Sequence, residues 1–500
     1  MADWSEAVSD SRKGDEFHYL WAARRCLHLL DLHSPIARIS IEGAAPGDTI
    51  TSKSEEIIDV AEYTEEDDGP ARYIQLKHSS KRLETPTPFS ELENTFSKFG
   101  DHFKAAVKER GLRSATTSCS FEIVSNRRIS ARLKRGCQRL TENPKDGTAE
   151  ATKVRDATEL SGRHLQEFCK LLVFRDTEAC YLGQRDLLRL ETQKSTSRAH
   201  GASLVPLLVE LVRDAALVAG RTEITPETLL RKLGVHQDEL FPAPPEMEHV
   251  ENALPRYQLD KVCEWVADGT DRFLIHATGG VGKSVFALQL STNLDANGAA
   301  VLYDCFGGGN YRHPSKPRHL HGRGLVQIAN ELAARGLCCT WVPNGHMRPD
   351  QYLMEFRTRL EDSVSALKIM DPGASLTVII DAADNAEGVA EGGHSFAFDL
   401  LQEPAPEGVK LVVLCRTERR DLLSPSSSVQ QRELSPFTES ESLEFLRQEH
   451  SKASPADGLE FHRLTQGNPR LQSIALSSKL PLGEMLADLG VNSHKVVHRD

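Results

Sequence analysis

Phe273 to Leu290 reads FLIHATGGVGKSVFALQL, and this stretch decides how the second half of the chain folds. An apolar run of strand type leads into a glycine-rich turn that closes on Gly282, Lys283 and Ser284, and an apolar helix start follows. Gly279, Gly280 and Gly282 let successive backbone N–H groups turn toward one anion, and the positive end of the helix points at the same spot. In such a cradle Lys283 reaches the terminal phosphates of a nucleotide and Ser284 a magnesium ion. The usual pattern opens with glycine five places before Gly282, where this chain has Ala277. The first turn is therefore expected to accommodate a Cβ.

Working outward, AAVLYDCF, SLTVIIDAAD and GVKLVVLCR are each apolar and each preceded by a helical stretch, the alternation that builds a parallel sheet. The second of them ends in Asp381, with Asp384 just beyond. A carboxylate there holds the water shell of magnesium opposite Ser284, or simply caps the strand end. Arg416 leaves the third strand on the side where ligands bind in such sheets, either to sense a γ-phosphate or as an ordinary surface arginine. Thr438 and Glu441 form a capping-box pattern, and helices continue from there. Together with Gly467, Asn468 and Pro469, this order of motifs over residues 256 to 480 resembles the STAND branch of the AAA+ and NACHT-like signalling NTPases. The resemblance implies ATP and Mg2+ as cofactors and places Pro469 in a helical lid over the adenine; the bare reading of Pro469 is a helix N-terminal proline. Family members commonly carry glutamate directly after the second aspartate. Asn385 stands there in this chain, which implies slow hydrolysis, with Asp384 orienting water or with nucleotide binding alone as the signal.

Five hundred residues at 39% hydrophobic content are enough for two or three cores. The polar N-terminus has no apolar signal core, and no later run is long enough to cross a bilayer, so a cytoplasmic protein without membrane contact is expected. Ten cysteines, single apart from Cys338 and Cys339 and without a CxxC pair, read as reduced core thiols rather than a zinc ribbon or disulfide framework. A formal net charge of -12 excludes a general nucleic-acid adhesive. Locally, Asn126 to Arg139 carries six basic residues and no acidic one, either a phosphate-tracking patch or a solvated helix face. His313, His319 and His321 lack a cysteine or carboxylate at matching spacing and read as a polar loop.

In the first half, Phe17, Leu20, Ala23, Leu27 and Leu30 repeat at helical spacing over residues 15 to 31, and the strands ARISIEG, EEIIDVAEY and ARYIQLKHS follow. A helix-like stretch then precedes SFEIVSN at 120 to 126. Strand alternation puts Tyr73, Gln75 and Lys77 on one face. Asp59, inside the neighbouring strand across a tight turn at Asp67 to Pro70, is expected beside them. A carboxylate, a second oxygen ligand and a lysine are what metal-dependent phosphodiester cleavage uses: Asp59 holds magnesium, the Gln75 oxygen assists, and Lys77 orients water or stabilises the pentavalent phosphate. Glu42, ending ISIEG, either adds a carboxylate or is a strand-end surface glutamate. Glu62 lies on the opposite face from Asp59, and His78 reads as structural or solvent-facing.

That order of elements over residues 14 to 235 resembles the PD-(D/E)xK restriction-endonuclease-like fold, particularly the CD-NTase-associated endonucleases of bacterial antiphage systems. The expected organisation is α/β and multidomain: a nuclease domain over 1–235, a proline-rich acidic linker over 236–255, a P-loop STAND core over 256–430 and a helical lid over 431–500. A nuclease joined to such a switch resembles the AVAST (Avs) antiviral NTPases. The resemblance implies double-stranded DNA as substrate, a phage-protein trigger sensed through a further C-terminal region or separate subunit, and a homo-oligomer, a tetramer, on activation. Two rivals stand beside it: a restriction or repair nuclease whose ATP turnover answers directly to DNA, and a non-catalytic signalling scaffold.

Overall fold

The computed structural model describes residues 2–44, 48, 58–64, 71–198, 200–217, 223–247, 250, 253–343 and 347–496. The chain divides into two compact units, Met1–Gln237 and Asp238–Asp500.

In the first unit α1 (Ala2–Leu27) buries Phe17, Leu20, Ala23 and Leu27, the apolar repeat of the sequence. A three-strand antiparallel meander follows: β1 (Ile36–Ile41), β2 (Val60–Thr64) and β3 (Ala71–Lys77). The chain then crosses through α2 (Glu93–Ser118) to β4 (Cys119–Ser125), which lies parallel to β3, as a crossover helix permits. Next come α3 (Ala131–Glu142), α4 (Ala149–Thr158), α5 (Gly162–Leu171), β5 (Leu172–Arg175), α6 (Tyr181–Ser195), α7 (Gly201–Leu217), β6 (Glu223–Ile224) and α8 (Pro226–Lys232). The sheet runs β5-β4-β3-β2-β1-β6. One aromatic cluster, Phe96, Phe99, Phe103, Phe121 and Phe168, packs α2 and α5 on it.

Two features depart from a reading by residue type alone. Leu172–Arg175, although it directly follows α5, forms β5, parallel to β4. Its side chains alternate between half-buried and exposed, the two-residue period of a strand, and β4 would otherwise present an open edge. Asp59 stands just before β2 rather than inside it, its N–H donating to the Ile74 carbonyl at 3.0 Å. Residues 55–57 of the expected strand and the Asp67–Pro70 turn lie outside the described residues.

The second unit contains α9 (Leu259–Asp268), β7 (Arg272–Ala277), α10 (Lys283–Asp295), β8 (Gly298–Asp304), α11 (His321–Ala333), α12 (Pro349–Met370), β9 (Ser375–Asp381), α13 (Ala383–Glu387), α14 (Phe396–Gln402), β10 (Val409–Arg416) and β11 (Gln430–Glu433). Its five strands are all parallel, in the order β11-β7-β10-β9-β8. The carboxyl ends of β7, β9 and β10 thus share one edge, where ligands bind in such sheets. Four helices close the chain: α15 (Glu439–Glu449), α16 (Pro455–Thr465), α17 (Pro469–Ser477) and α18 (Leu482–Val496). Polar β11 has no apolar signature, because it pairs at the edge with its side chains mostly exposed.

Part of the 236–255 stretch read as a linker is packed into this unit. Leu240 and Ala243 are buried; Asn330 Nδ2 donates to the Leu240 carbonyl at 2.7 Å, Arg323 to Pro242 at 2.9 Å, and the Ala243 N–H to Gln327 Oε1 at 2.9 Å. Proline-rich composition marks extended backbone, not freedom. Among the described residues no helix is long and apolar enough to cross a membrane.

Candidate functional sites

In the first unit, β3 carries Gln75 and Lys77 on one face, and the chain entering β2 brings Asp59 against them. Gln75 Nε2 and the Leu76 N–H both donate to Asp59 Oδ2, each at 2.5 Å. Gln75 is 5% exposed, and its Oε1 finds no hydrogen-bond partner among the described residues. An orphaned buried oxygen is costly, and here it belongs to an amide already lying on the carboxylate. Burial pushes the Asp59 carboxyl up to about 7, against the pull of the Leu76 amide, Lys77 and Gln75.

Glu42 reaches the same place from the end of β1, its N–H donating to the Asp59 carbonyl at 2.9 Å. Its φ of 53° puts a non-glycine residue in the left-handed region, a sparsely populated conformation that gathers at functional sites. Burial, then the Asp59 charge, raises its pKa. One further residue was missed in the sequence. His18, on α1, has a ring nitrogen that lies with carboxylate oxygens of Glu42 and Asp59 in a cluster whose atoms are all within 4.8 Å of one another. His18 Nδ1 is 3.8 Å from Asp59 Oδ1. Lys77, half-buried, is close enough for its charge to lower the pKa of both Asp59 and His18. Glu62 is turned away and paired with Arg25 at 2.5 Å, and His78 packs against Phe17 with ring centroids 5.0 Å apart.

The basic stretch leaves β4 beside Lys77, the Asn126 N–H donating to the Lys77 carbonyl. Arg127 is buried against Glu91, and Lys134 pairs with Asp176. Arg128, Arg132, Arg135 and Arg139 are exposed. The last three recur at helical spacing on α3, away from its buried Leu133, Cys137 and Leu140, so they form one basic stripe.

In the second unit the glycine loop joins β7 to α10. Gly280 and Gly282 have φ of 79° and 86°, values that favour glycine. Gly279 has no such constraint: a Cβ there meets nothing within 4 Å. Ala277 is the last residue of β7, in register with Arg416, so its Cβ sits in strand geometry rather than in the turn. Lys283 Nζ donates to the Ala277 and Thr278 carbonyls, each at 3.0 Å. Asp381, ending β9, is 1% exposed, and neither of its oxygens completes a hydrogen bond of normal geometry among the described residues. Burial lifts it to about 6, although the nearby Ser284 hydroxyl favours its ionised form. Asp384 accepts the Arg416 N–H at 3.2 Å, and buried Asn385 accepts from Arg419 at 3.2 Å.

Pro469 opens α17, and Asn468 caps it by accepting the Arg470 and Leu471 N–H groups. Both sit on the glycine loop: Asn468 Nδ2 donates to the Gly279 carbonyl and the Arg470 N–H to the Gly280 carbonyl, each at 3.1 Å. Pro469 is therefore a helix-opening proline and a neighbour of the glycine loop at once. The His313, His319 and His321 loop holds no cluster of metal-ligand type among the described residues; His321 bonds Asp399 at 2.9 Å.

The donor sets suit the groups expected at them. In the second unit, positive-φ glycines, a lysine and an orphaned carboxylate fit a nucleotide phosphate with its magnesium. In the first, two carboxylates, an imidazole and an orphaned amide oxygen fit a divalent cation.

No protein-family profile matches the sequence, and no curated protein matches it. Among solved structures, it is similar to a Walker-type ATPase of Pyrococcus abyssi (TM-score 0.36, 14% identity, 52% of this chain and 77% of that one). It is also similar to a STAND protein with a tetratricopeptide repeat sensor from Pyrococcus horikoshii (TM-score 0.29, 16% identity, 49% of this chain and 33% of that one). A third is the Cap4 SAVED/CARF-domain receptor of Acinetobacter baumannii with a cyclic trinucleotide (TM-score 0.26, 10% identity, 74% of this chain and 63% of that one). Likenesses this low assign the chain to no family.

Proposed function

We propose that the chain is a nucleotide-gated, metal-dependent DNA endonuclease of an antiphage defence system, with a restriction-endonuclease-like first unit and a STAND-type P-loop second unit. The observation that carries this reading is the convergence of Glu42, Asp59 and Gln75 at one place in the first unit, with the Lys77 charge close by and a buried Gln75 amide oxygen that has no hydrogen-bond partner among the described residues. The helix, meander, crossover helix and parallel strand around it are in the order that fold uses.

A bound divalent ion supplies an acidified water and neutralises charge on the scissile phosphate. Asp59 and Glu42 would provide the negative charge that holds it. Lys77 steers a water or the phosphate toward the cluster. Arg128, Arg132, Arg135 and Arg139 follow the backbone of the duplex. In the second unit Lys283 leaves its two carbonyls for phosphate oxygens, Ser284 and Asp381 hold the magnesium, and Asp384, Arg416 and Pro469 report the nucleotide state. A phage component, acting through a further sensor region or subunit, then drives oligomerisation. The rival, a restriction or repair enzyme, differs in that DNA alone stimulates ATP turnover.

The test is cleavage of plasmid DNA by purified protein with magnesium and ATP, with and without lysate of phage-infected cells, beside Lys77→Ala and Lys283→Ala. Cleavage only with infected lysate, lost in both variants, is expected. ATP turnover driven by uninfected DNA favours the rival, and cleavage surviving Lys77→Ala removes the nuclease assignment.

A further inference from the structure

We propose that His18 is a direct nitrogen ligand of the cation held by Glu42 and Asp59, and that this imidazole makes the site prefer manganese to magnesium. The inference rests on the nuclease reading of the same cluster and adds a ligand and an ion class to it.

The geometry is that of a site and not of an acidic surface. The three donor atoms come from α1, the end of β1 and the entry to β2, residues far apart in sequence that the fold brings within 4.8 Å of one another. Ligand bonds of about 2.0–2.2 Å place neighbouring donors roughly 3 Å apart and opposite donors roughly 4.2 Å apart, so a small inward movement of side chains lets one ion touch all three. Asp59 is held by Gln75 Nε2 and the Leu76 N–H, which fixes one oxygen and leaves Oδ1 turned to His18 at 3.8 Å. The second, independent observation is Gln75 itself, 5% exposed with an Oε1 that has no partner among the described residues.

Donor type then decides the ion. Magnesium takes oxygen ligands and keeps its waters. A site with one imidazole and two carboxylates suits a cation that accepts nitrogen and oxygen together; manganese does so more readily than magnesium and serves the same phosphodiester chemistry. His18→Gln keeps a polar side chain of similar reach while exchanging nitrogen for an amide.

The experiment is titration of the full chain with manganese alone, without nucleotide, followed by electron paramagnetic resonance and spin-echo modulation. An Asp381→Asn background keeps the second unit from contributing. Bound manganese showing nitrogen modulation, lost in His18→Gln together with about tenfold or more in affinity, is the expected result. Bound manganese without nitrogen modulation in the parent overturns the His18 ligation while leaving the nuclease reading intact. No bound manganese overturns both. Competition by magnesium checks the preference: equal displacement of manganese from parent and His18→Gln removes the selectivity claim.

Discussion

Glu42 and His102 show how single residues trade stability for position. Glu42 keeps a left-handed backbone with φ of 53° at the end of β1, a conformation that costs a non-glycine residue about 1 kcal/mol. Glu42→Gly is expected to leave the first unit as stable as before, or stabler by up to about 1 kcal/mol, while weakening manganese binding. Denaturant melts beside metal titration check both halves. His102 is 1% exposed, packed on Tyr73 with ring centroids 4.0 Å apart and on Phe121 at 5.8 Å. Burial lowers its pKa to about 4, with Asp48 pulling the other way and Arg110 assisting. Because the folded state prefers the neutral ring, His102 stability is fully present above pH 6.5 and declines as pH falls from there toward 4, by at most about 3 kcal/mol. His102→Phe is expected to gain on the parent over that window, measured as the difference between their melts at pH 7.5 and 4.5.

At the scale of elements, the contact between α17 and the glycine loop is the one to perturb. A Cβ on Gly280 would stand 2.7 Å from Asn468 Oδ1, and φ there is already 79°. Gly280→Ala is expected to push α17 off the loop and to speed release of a fluorescent nucleotide. Asn468→Ala removes the α17 cap, worth about 1 kcal/mol, and should speed release similarly without straining the loop. How much of this was legible depended on whether the information was local. The glycine loop between β7 and α10, the Asp381 strand and the Gln75 and Lys77 alternation each lie within one segment, and period and residue type suffice to place them. Thr438 and Glu441 form their reciprocal cap as spaced. Pairing decides the rest. LVFR is short enough to read as the tail of α5, and only the open edge of β4 makes it a strand. QQRE has no hydrophobic face to betray β11. His18 was hidden because an apolar helical repeat surrounds it, and only the fold brings it to Glu42 and Asp59.

For the whole molecule, the boundary between the units falls at Gln237, and the segment after it is built into the second unit. Arg318 donates to carbonyls of both Ala243 and Pro244, Asn330 and Arg323 donate to two more in the segment, and Gln327 accepts its Ala243 N–H. A fragment starting at residue 256 loses these bonds, at about 1 kcal/mol apiece. It is expected to melt several degrees below one starting at 238, as calorimetry of the pair would show. Charge is distributed just as unevenly. With a net charge of -12 and an isoelectric point near 5.9, the protein should adhere to an anion exchanger at neutral pH. The arginines on α3 give it a second, opposite behaviour on chromatography: it should also be retained by immobilised heparin, and each of Arg132, Arg135 and Arg139 replaced by glutamine should bring it off that column at lower salt.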